Sequence, residues 1–225
     1  MPELDKRSKL TLHIASVDVT RRFLSLAKHP EASTLKRATG GFAMLHDFVR
    51  KPELAVPVGP IDHALGPEHA PVTVVEYADF ECPTCNQAAQ TVKLMLARFV
   101  NKVRFIYRHF PIEAAHPHAL LAAQVSEAAG AQGKFWQMHD LLFDNQLHLK
   151  PHDLRGYAAR LQLDMARYTA EIDDEIYLQR VREHMDGGRR SHVRSAPAFF
   201  INGVIQDVSF GMHFLLDGVE AALHR

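Results

Sequence analysis

The pattern of apolar and polar positions changes its period along this chain and so outlines its elements. Val72 to Tyr77 is a nearly continuous apolar run, typical of a central strand covered on both faces. From Thr84 to Val100 the apolar residues recur at helical spacing, with Lys93 and Arg98 on the opposite face. A second strand is predicted from Val103 to Phe110, so the pattern predicts a βαβ unit with a right-handed crossover.

Helical periodicity then continues from Ala114 to about Gly188. Pro117 suits a first helical position and Gly130 a helix end, and Gly187-Gly188 is expected to end the last helix of the segment. Between these points the pattern predicts helices over Lys134–Asp144, Pro151–Leu161, Asp164–Glu171 and Glu175–Asp186.

The chain returns to strands after this helical segment. Ala198–Ile201 is apolar, Asn202-Gly203 is a strong hairpin signal, and Val204–Val208 is the returning strand. Met212–His224 is predicted to close the chain as a helix. The order predicts an α/β protein with an all-helical insertion, about residues 114–188, between a βαβ half and a ββα half.

Residues 1–53 have a different pattern and are predicted to be an N-terminal extension of unknown role. A weak alternation at Leu10–Ile14 predicts a strand, and looser helical periodicity follows over Val17–Lys28 and Leu35–Arg50. Prolines and glycines then indicate a linker, with an edge strand expected around Leu54–Val58.

Composition and charge narrow the classes of partner. Lys and Arg number 26 and are balanced by 26 Asp and Glu, so neither a nucleic acid nor an anionic membrane surface is expected as a partner. No apolar run approaches the roughly 18 residues of a membrane span. The charged N-terminus is followed by too short an apolar run for a signal peptide, which predicts a cytoplasmic location unless the true start differs.

The only two cysteines lie together as Cys82-Pro83-Thr84-Cys85, at the junction of the first strand and its helix. Free backbone N–H groups and the helix dipole stabilise a thiolate there, which lowers a cysteine pKa from about 8.5. Cys82 is therefore the predicted nucleophile of a thiol–disulfide exchange. Cys85, one turn into the helix, is the predicted resolving thiol, and this chemistry needs no metal or organic cofactor.

Other interpretations of the two cysteines remain open. They could be half of a zinc site completed by two of the 15 histidines, with His116-Pro117-His118 as the most suggestive pair. They could also be structural, or could be a sensor in a peptide-binding protein.

Five segments in combination resemble the DsbA-like thiol–disulfide oxidoreductases, and the resemblance covers Leu54–Arg225, the predicted second domain (54–225). These segments are Val72–Cys85 (VTVVEYADFECPTC), Arg108–Pro111 (RHFP), His116–Ala119 (HPHA), Gly133–Phe143 (GKFWQMHDLLF) and Ser195–Gly203 (SAPAFFING). The resemblance implies a thioredoxin-like fold with a helical insertion. It also implies a nucleophilic Cys82, a resolving Cys85, a cis-proline at Pro197 and a buried acid at Glu76.

The cis-proline loop would bring the Ala196 backbone beside the thiols, where it could pair with an extended substrate by strand addition. Pro83 and Thr84 are expected to contact the substrate as well. The expected partners are protein or peptide thiols and disulfides, with recycling by a thioredoxin or glutathione system. An isomerase or reductase of the same fold is the alternative, because Ala196 stands where the family has Thr or Val and the Pro83-Thr84 pair contains no histidine.

Glu76 has a physical interpretation of its own, because an acid in an otherwise apolar strand is either exposed at an edge or buried under the dithiol. Burial would raise its pKa by desolvation. A buried Glu76 could then accept the proton of Cys85 as that thiol attacks the mixed disulfide.

Overall fold

The computed structural model describes residues 51–225, and its strands form one sheet. The predicted strand and helix bounds in the first 50 residues lie outside the described residues. In chain order the elements are β1 His63–Leu65, β2 Val72–Ala78, α1 Pro83–Arg98, β3 Val103–His109, α2 Ala119–Gly130, α3 Phe135–Asp144, α4 Pro151–Arg160, α5 Met165–Asp173, α6 Leu178–Arg190, β4 Ala198–Ile201, β5 Val204–Gln206 and α7 His213–Leu223.

The sheet has the order β1-β3-β2-β4-β5, with the predicted βαβ unit at its centre. Strands β2 and β3 are parallel and pair from Val72↔Val103 to Ala78↔His109. Strand β4 runs antiparallel to β2, β5 antiparallel to β4, and β1 antiparallel to β3. Five helices, α2 to α6, lie between β3 and β4, so the predicted thioredoxin-like α/β fold with its helical insertion is confirmed.

Strand periodicity assigns the side chains of β2 to two faces. Val75 and Tyr77 pack on the face covered by α6, together with Val181 and Met185. Val74 and Ala78 belong to the other core, which includes Cys85 and the apolar side of α1. Glu76 shares the parity of Val74 and Ala78, and it therefore lies on the dithiol side of the central strand.

The predicted helix stop at Gly187-Gly188 is wrong, because α6 continues through both glycines to Arg190. Their role is close packing. A Cβ on Gly188 would lie 2.8 Å from the Phe110 ring, and one on Gly187 would lie 3.1 Å from Val56. The missing side chains let α6 approach the sheet.

The predicted edge strand at Leu54–Val58 is also wrong: the edge strands of the sheet are β1 and β5, and Glu53 forms an isolated bridge to Val204 of β5. The carbonyls of Val56 and Pro57 instead accept hydrogen bonds from the Arg108 guanidinium, at 2.8 and 2.9 Å. A buried side chain thus replaces a neighbouring strand as their partner.

Helix α2 ends at Gly130 as predicted but begins at Ala119, two residues after Pro117. The N–H of His118 donates to the Glu81 carboxylate at 2.7 Å, which holds the preceding turn in a loop. Within residues 51–225, no helix combines the length and apolarity that crossing a bilayer requires.

Candidate active site

The dithiol lies at the first turn of α1, because Cys82 is the N-cap residue and Pro83 the first helical residue. Cys82 has extended backbone angles, φ −81° and ψ 121°, and proline is favourable at the next position because its missing N–H would have had no intrahelical partner. The N–H groups of Cys85 and Asn86 turn back to the Cys82 carbonyl. Both cysteines are free thiols here.

Cys82 has polar partners on two sides. Its sulfur lies 3.0 Å from the Thr84 hydroxyl, and its thiol donates to the Ala196 carbonyl at 3.4 Å. The Ala196–Pro197 peptide bond is cis, as predicted. Hydrogen bonds from the Cys85 thiol and from Thr84 outweigh burial and lower the pKa of Cys82 to about 5.

Cys85 has the opposite environment. Its side chain is wholly buried, and burial, the bond to Cys82 and the charge of Glu76 raise its pKa. The N–H of Asp79 donates to the Cys85 sulfur at 3.5 Å, and this hydrogen bond lowers the pKa of Cys85. Because the two pKa values are pushed apart, one thiol is ready to attack and the other holds its proton.

Glu76 is only 2% exposed, which confirms the predicted burial. On β2 it lies between Tyr107 of β3 and Phe199 of β4. Its Oε1 atom and the Tyr107 hydroxyl are both buried without a hydrogen-bond partner. Burial, and secondarily the charge of Cys82, raise the pKa of Glu76 to about 8, so the carboxyl holds a proton near neutral pH.

Asp79, a residue that the sequence reasoning missed, ties the dithiol turn to the loop after β3. Its buried carboxylate accepts hydrogen bonds of 2.7 Å from the N–H groups of Glu81 and Ile112 and from His116 Nδ1. Burial acts against the imidazolium, but the bond to Asp79 and its charge raise the pKa of His116. The His116-Pro117-His118 segment was the one signal in the sequence, and it was interpreted only as part of the family resemblance and as a possible half of a zinc site.

The zinc interpretation receives no geometric support within the described part of the chain. The one group of three potential ligands there consists of His109, Glu127 and His184, and it includes neither cysteine. His116 is held by Asp79 instead.

A groove of about 640 Å³ opens beside the thiols. Thr84, Ala196 and Pro197 line one end, and Arg194, Val208 and Met212 continue it. Two of the three residues expected to contact a substrate, Thr84 and Ala196, therefore border one groove, and the third, Pro83, is exposed at the start of α1.

A second buried polar cluster, also missed by the sequence reasoning, surrounds Glu127 of α2. His63 and His109 bond its two carboxylate oxygens at 3.0 and 2.9 Å, and Arg180 Nε lies 2.7 Å from Oε2. Although burial opposes the charge, these partners hold the pKa of Glu127 well below its usual range. Both carboxylate oxygens of Glu127 have partners, and a guanidinium lies beside them, so this carboxylate is the anion of a buried ion network.

Comparison with known proteins agrees with this geometry. The thioredoxin family profile matches residues 60–212, so the chain belongs to the thioredoxin family, and its fold is of the DsbA-like kind. The structure is similar to oxidised BdbD from Bacillus subtilis, with a TM-score of 0.70 and 21% identity over 78% of this chain and 100% of that one. It is also similar to alpha-DsbA1 of Wolbachia pipientis, with a TM-score of 0.64 and 20% identity over 77% and 96% of the two chains.

The relatives that are similar in sequence are named as antiporters, unlike the structural relatives. The chain is 47% identical over 171 residues, 76% of its length, to "Na(+)/H(+) antiporter NhaA 1" of Salinispora arenicola. It is 41% identical over 151 residues, 67% of its length, to "Na(+)/H(+) antiporter NhaA" of Herminiimonas arsenicoxydans. The chain spans about a quarter of the length of these curated relatives, 26% and 24%.

Proposed function

We propose that this chain is a thiol–disulfide oxidoreductase that acts on protein or peptide thiols and disulfides. The observation that carries the proposal is the pair of opposed thiols at the start of α1, with the pKa of Cys82 lowered to about 5 and that of Cys85 raised. This is the division between attacking and resolving thiol that a mixed-disulfide mechanism requires.

In the reducing direction, the Cys82 thiolate attacks one sulfur of a substrate disulfide. The substrate S–S bond breaks, one substrate sulfur leaves as a thiolate, and the other is joined to Cys82. The carboxylate form of Glu76, which gains population as the pH approaches about 8, accepts the proton of Cys85. Cys85 then attacks the Cys82 sulfur, which expels the second substrate thiolate. After this step the chain contains a Cys82–Cys85 disulfide, and the substrate has gained two electrons. The reverse sequence oxidises a substrate dithiol.

The Ala196 carbonyl lies 3.4 Å from the Cys82 sulfur. Its position favours a substrate that binds in an extended conformation and forms main-chain hydrogen bonds beside the thiols. Pro83 and Thr84 lie next to the same sulfur. A thioredoxin or glutathione system is the proposed recycling partner, and the cytoplasmic location stays a prediction.

Two cysteine variants on the same turn test the mechanism. We expect Cys82→Ala to lose catalysed insulin reduction, because the remaining thiol, Cys85, is wholly buried and its pKa is raised. Cys85→Ala should still attack but should accumulate a mixed disulfide with a disulfide peptide, detectable by mass spectrometry. A Cys82→Ala protein with the wild-type rate would refute the proposal.

The redox potential decides between oxidase and reductase. A value near about −120 mV marks an oxidant and one near about −270 mV a reductant. Stoichiometric zinc retained through gel filtration would instead favour the metal-binding alternative. Client binding that is unchanged in a double cysteine variant would favour a peptide-binding sensor.

The relatives suggest a partner as well. Because their names are those of Na(+)/H(+) antiporters and the matched segment is about a quarter of their length, we infer that this unit works beside an antiporter of that kind. Covalent or close association raises the effective concentration of two domains for each other. Trapping with Cys85→Ala in cells should capture such an antiporter as a mixed disulfide, and capture of other proteins alone would contradict this inference.

A further inference from the structure

Asp79 makes five hydrogen bonds at the dithiol turn, more than its place in an unremarkable loop after β2 would suggest. Its N–H donates to the Cys85 sulfur and its carbonyl accepts from the Cys82 N–H at 3.2 Å. Its carboxylate accepts from Glu81, Ile112 and His116, each at 2.7 Å. The side chain therefore holds in place the main-chain segment that contacts both cysteines.

A buried carboxylate this close to two sulfurs has an electrostatic consequence. Like charges disfavour each other in a poorly solvated site, so an uncompensated Asp79 would oppose a thiolate at Cys82 or Cys85. His116 is the cation-forming group bonded to that carboxylate, and its side chain is 18% exposed. The Pro83-Thr84 pair offers no charged side chain for this purpose.

We propose that Asp79 and His116 form a positioning pair for the dithiol, in which Asp79 holds the backbone N–H against the Cys85 sulfur and the His116 imidazolium balances the Asp79 charge so that the site can hold a thiolate. This deepens the proposed function and rests on it. The titratable groups around the pair are Glu76, Glu81, Cys82, Cys85 and Tyr107.

The first test needs no substitution, because coupling between two titrating groups is reciprocal. If His116 stabilises a thiolate, the thiolate must stabilise the imidazolium, in line with the charge of Cys82 raising the pKa of His116. The imidazole titration is followed by NMR in the dithiol and the disulfide forms of the chain. We expect the His116 midpoint to fall on oxidation. Equal His116 midpoints in the two forms would overturn the proposal.

The second test compares His116→Gln with His118→Gln, because His118 contacts the site through its main-chain N–H. The pH midpoint of Cys82 alkylation should rise by about one unit in His116→Gln, the scale of one nearby opposite charge. It should be unchanged in His118→Gln and retained in His116→Lys, which keeps the charge. If the midpoint of Cys82 alkylation in His116→Gln equals that of the wild type, the Asp79–His116 contact is structural only and the proposal is wrong.

Both tests read protonation and require no turnover. Loss of the proposed activity would therefore appear as failed insulin reduction with the His116 shift intact. Failure of the positioning pair would appear as normal turnover without the shift.

Discussion

Two glutamates are buried in the core formed by residues 51–225, and their surroundings differ. Glu127, 4% exposed, has hydrogen bonds from His63 and His109 and an ion pair with Arg180, which hold its pKa well below the usual range. Glu76, 2% exposed, has a buried Oε1 without a partner and a pKa raised to about 8. Equal burial therefore gives opposite protonation states at neutral pH, and the partners decide which.

The difference separates a structural acid from a chemical one. A carboxylate with both oxygens engaged ties together the elements that supply its partners: β1, β3 and α6 around α2. A carboxyl with a free oxygen beside a dithiol is less stable when charged, but it can exchange a proton. The contrast predicts stability losses at Glu127 and kinetic losses at Glu76.

The largest effect is expected from Glu127→Gln. Removing one partner of a buried ion network typically costs about 3–5 kcal/mol, and here Arg180 loses its counter-charge while the two histidines lose a carboxylate hydrogen-bond partner. Denaturant unfolding measures this loss, and thiol–disulfide turnover per folded molecule should not change. Glu68→Gln is the matched control, since its carboxylate is 77% exposed and lies 4.0 Å from Arg104. That control should change stability by less than about 1 kcal/mol, and an equal loss in both variants would remove the distinction.

Glu76→Gln should have the opposite sign in stability. Burial raises the pKa of Glu76 from 4.5 to about 8 in the folded state. The ionised carboxylate therefore destabilises the folded protein at pH values above about 4.5. The contribution of Glu76 to stability is fully present at low pH and is lost as pH rises from about 4.5 to about 8. The glutamine variant has no such loss, so we expect it to be more stable at pH 7 by about 3 kcal/mol, with no advantage near pH 4.

The same variant should slow resolution of the mixed disulfide and leave the first attack by Cys82 nearly intact. Proton removal from Cys85 limits the second step, whereas hydrogen bonds at the start of α1 stabilise the Cys82 thiolate. Rapid-mixing measurements on a disulfide peptide separate the two steps. A Glu76→Gln protein that is less stable at pH 7 and resolves mixed disulfides normally would make Glu76 a structural hydrogen-bonding residue.

The two glutamates also differ in how well the sequence predicted them. Glu76 interrupts an apolar run directly before the dithiol, so local pattern and family resemblance both indicated a buried acid. The partners of Glu127 come from β1, β3 and α6, which are distant in sequence and share no spacing. Gly187-Gly188 was misinterpreted for a related reason, because its fit against Phe110 is a tertiary contact. Local signals predicted β2 to β5, the dithiol turn and the hairpin, whereas β1 and the long-range polar contacts were not accessible.

The smallest effect at neutral pH is expected from His184→Asn, beside the Glu127 cluster. Burial, and then the charge of His109, lower the pKa of His184 to about 3. A histidine with a lowered folded pKa contributes stability above its unfolded value of about 6.5 and loses it as pH falls toward about 3. The main-chain N–H of His109 donates a hydrogen bond to His184 Nδ1 at 3.3 Å, and an asparagine side chain can still accept it.

The stability of His184→Asn at pH 7 should therefore differ from that of the wild type by less than about 1 kcal/mol. Near pH 4 the variant should be more stable than the wild type by about 1 kcal/mol or more. His152→Asn, with a side chain 76% exposed, is the control and should follow the wild type at both pH values. The free energy of unfolding of the wild type should fall more between pH 7 and pH 4 than that of His184→Asn. An equal fall in both proteins would show that burial of a neutral His184 does not contribute to the acid sensitivity.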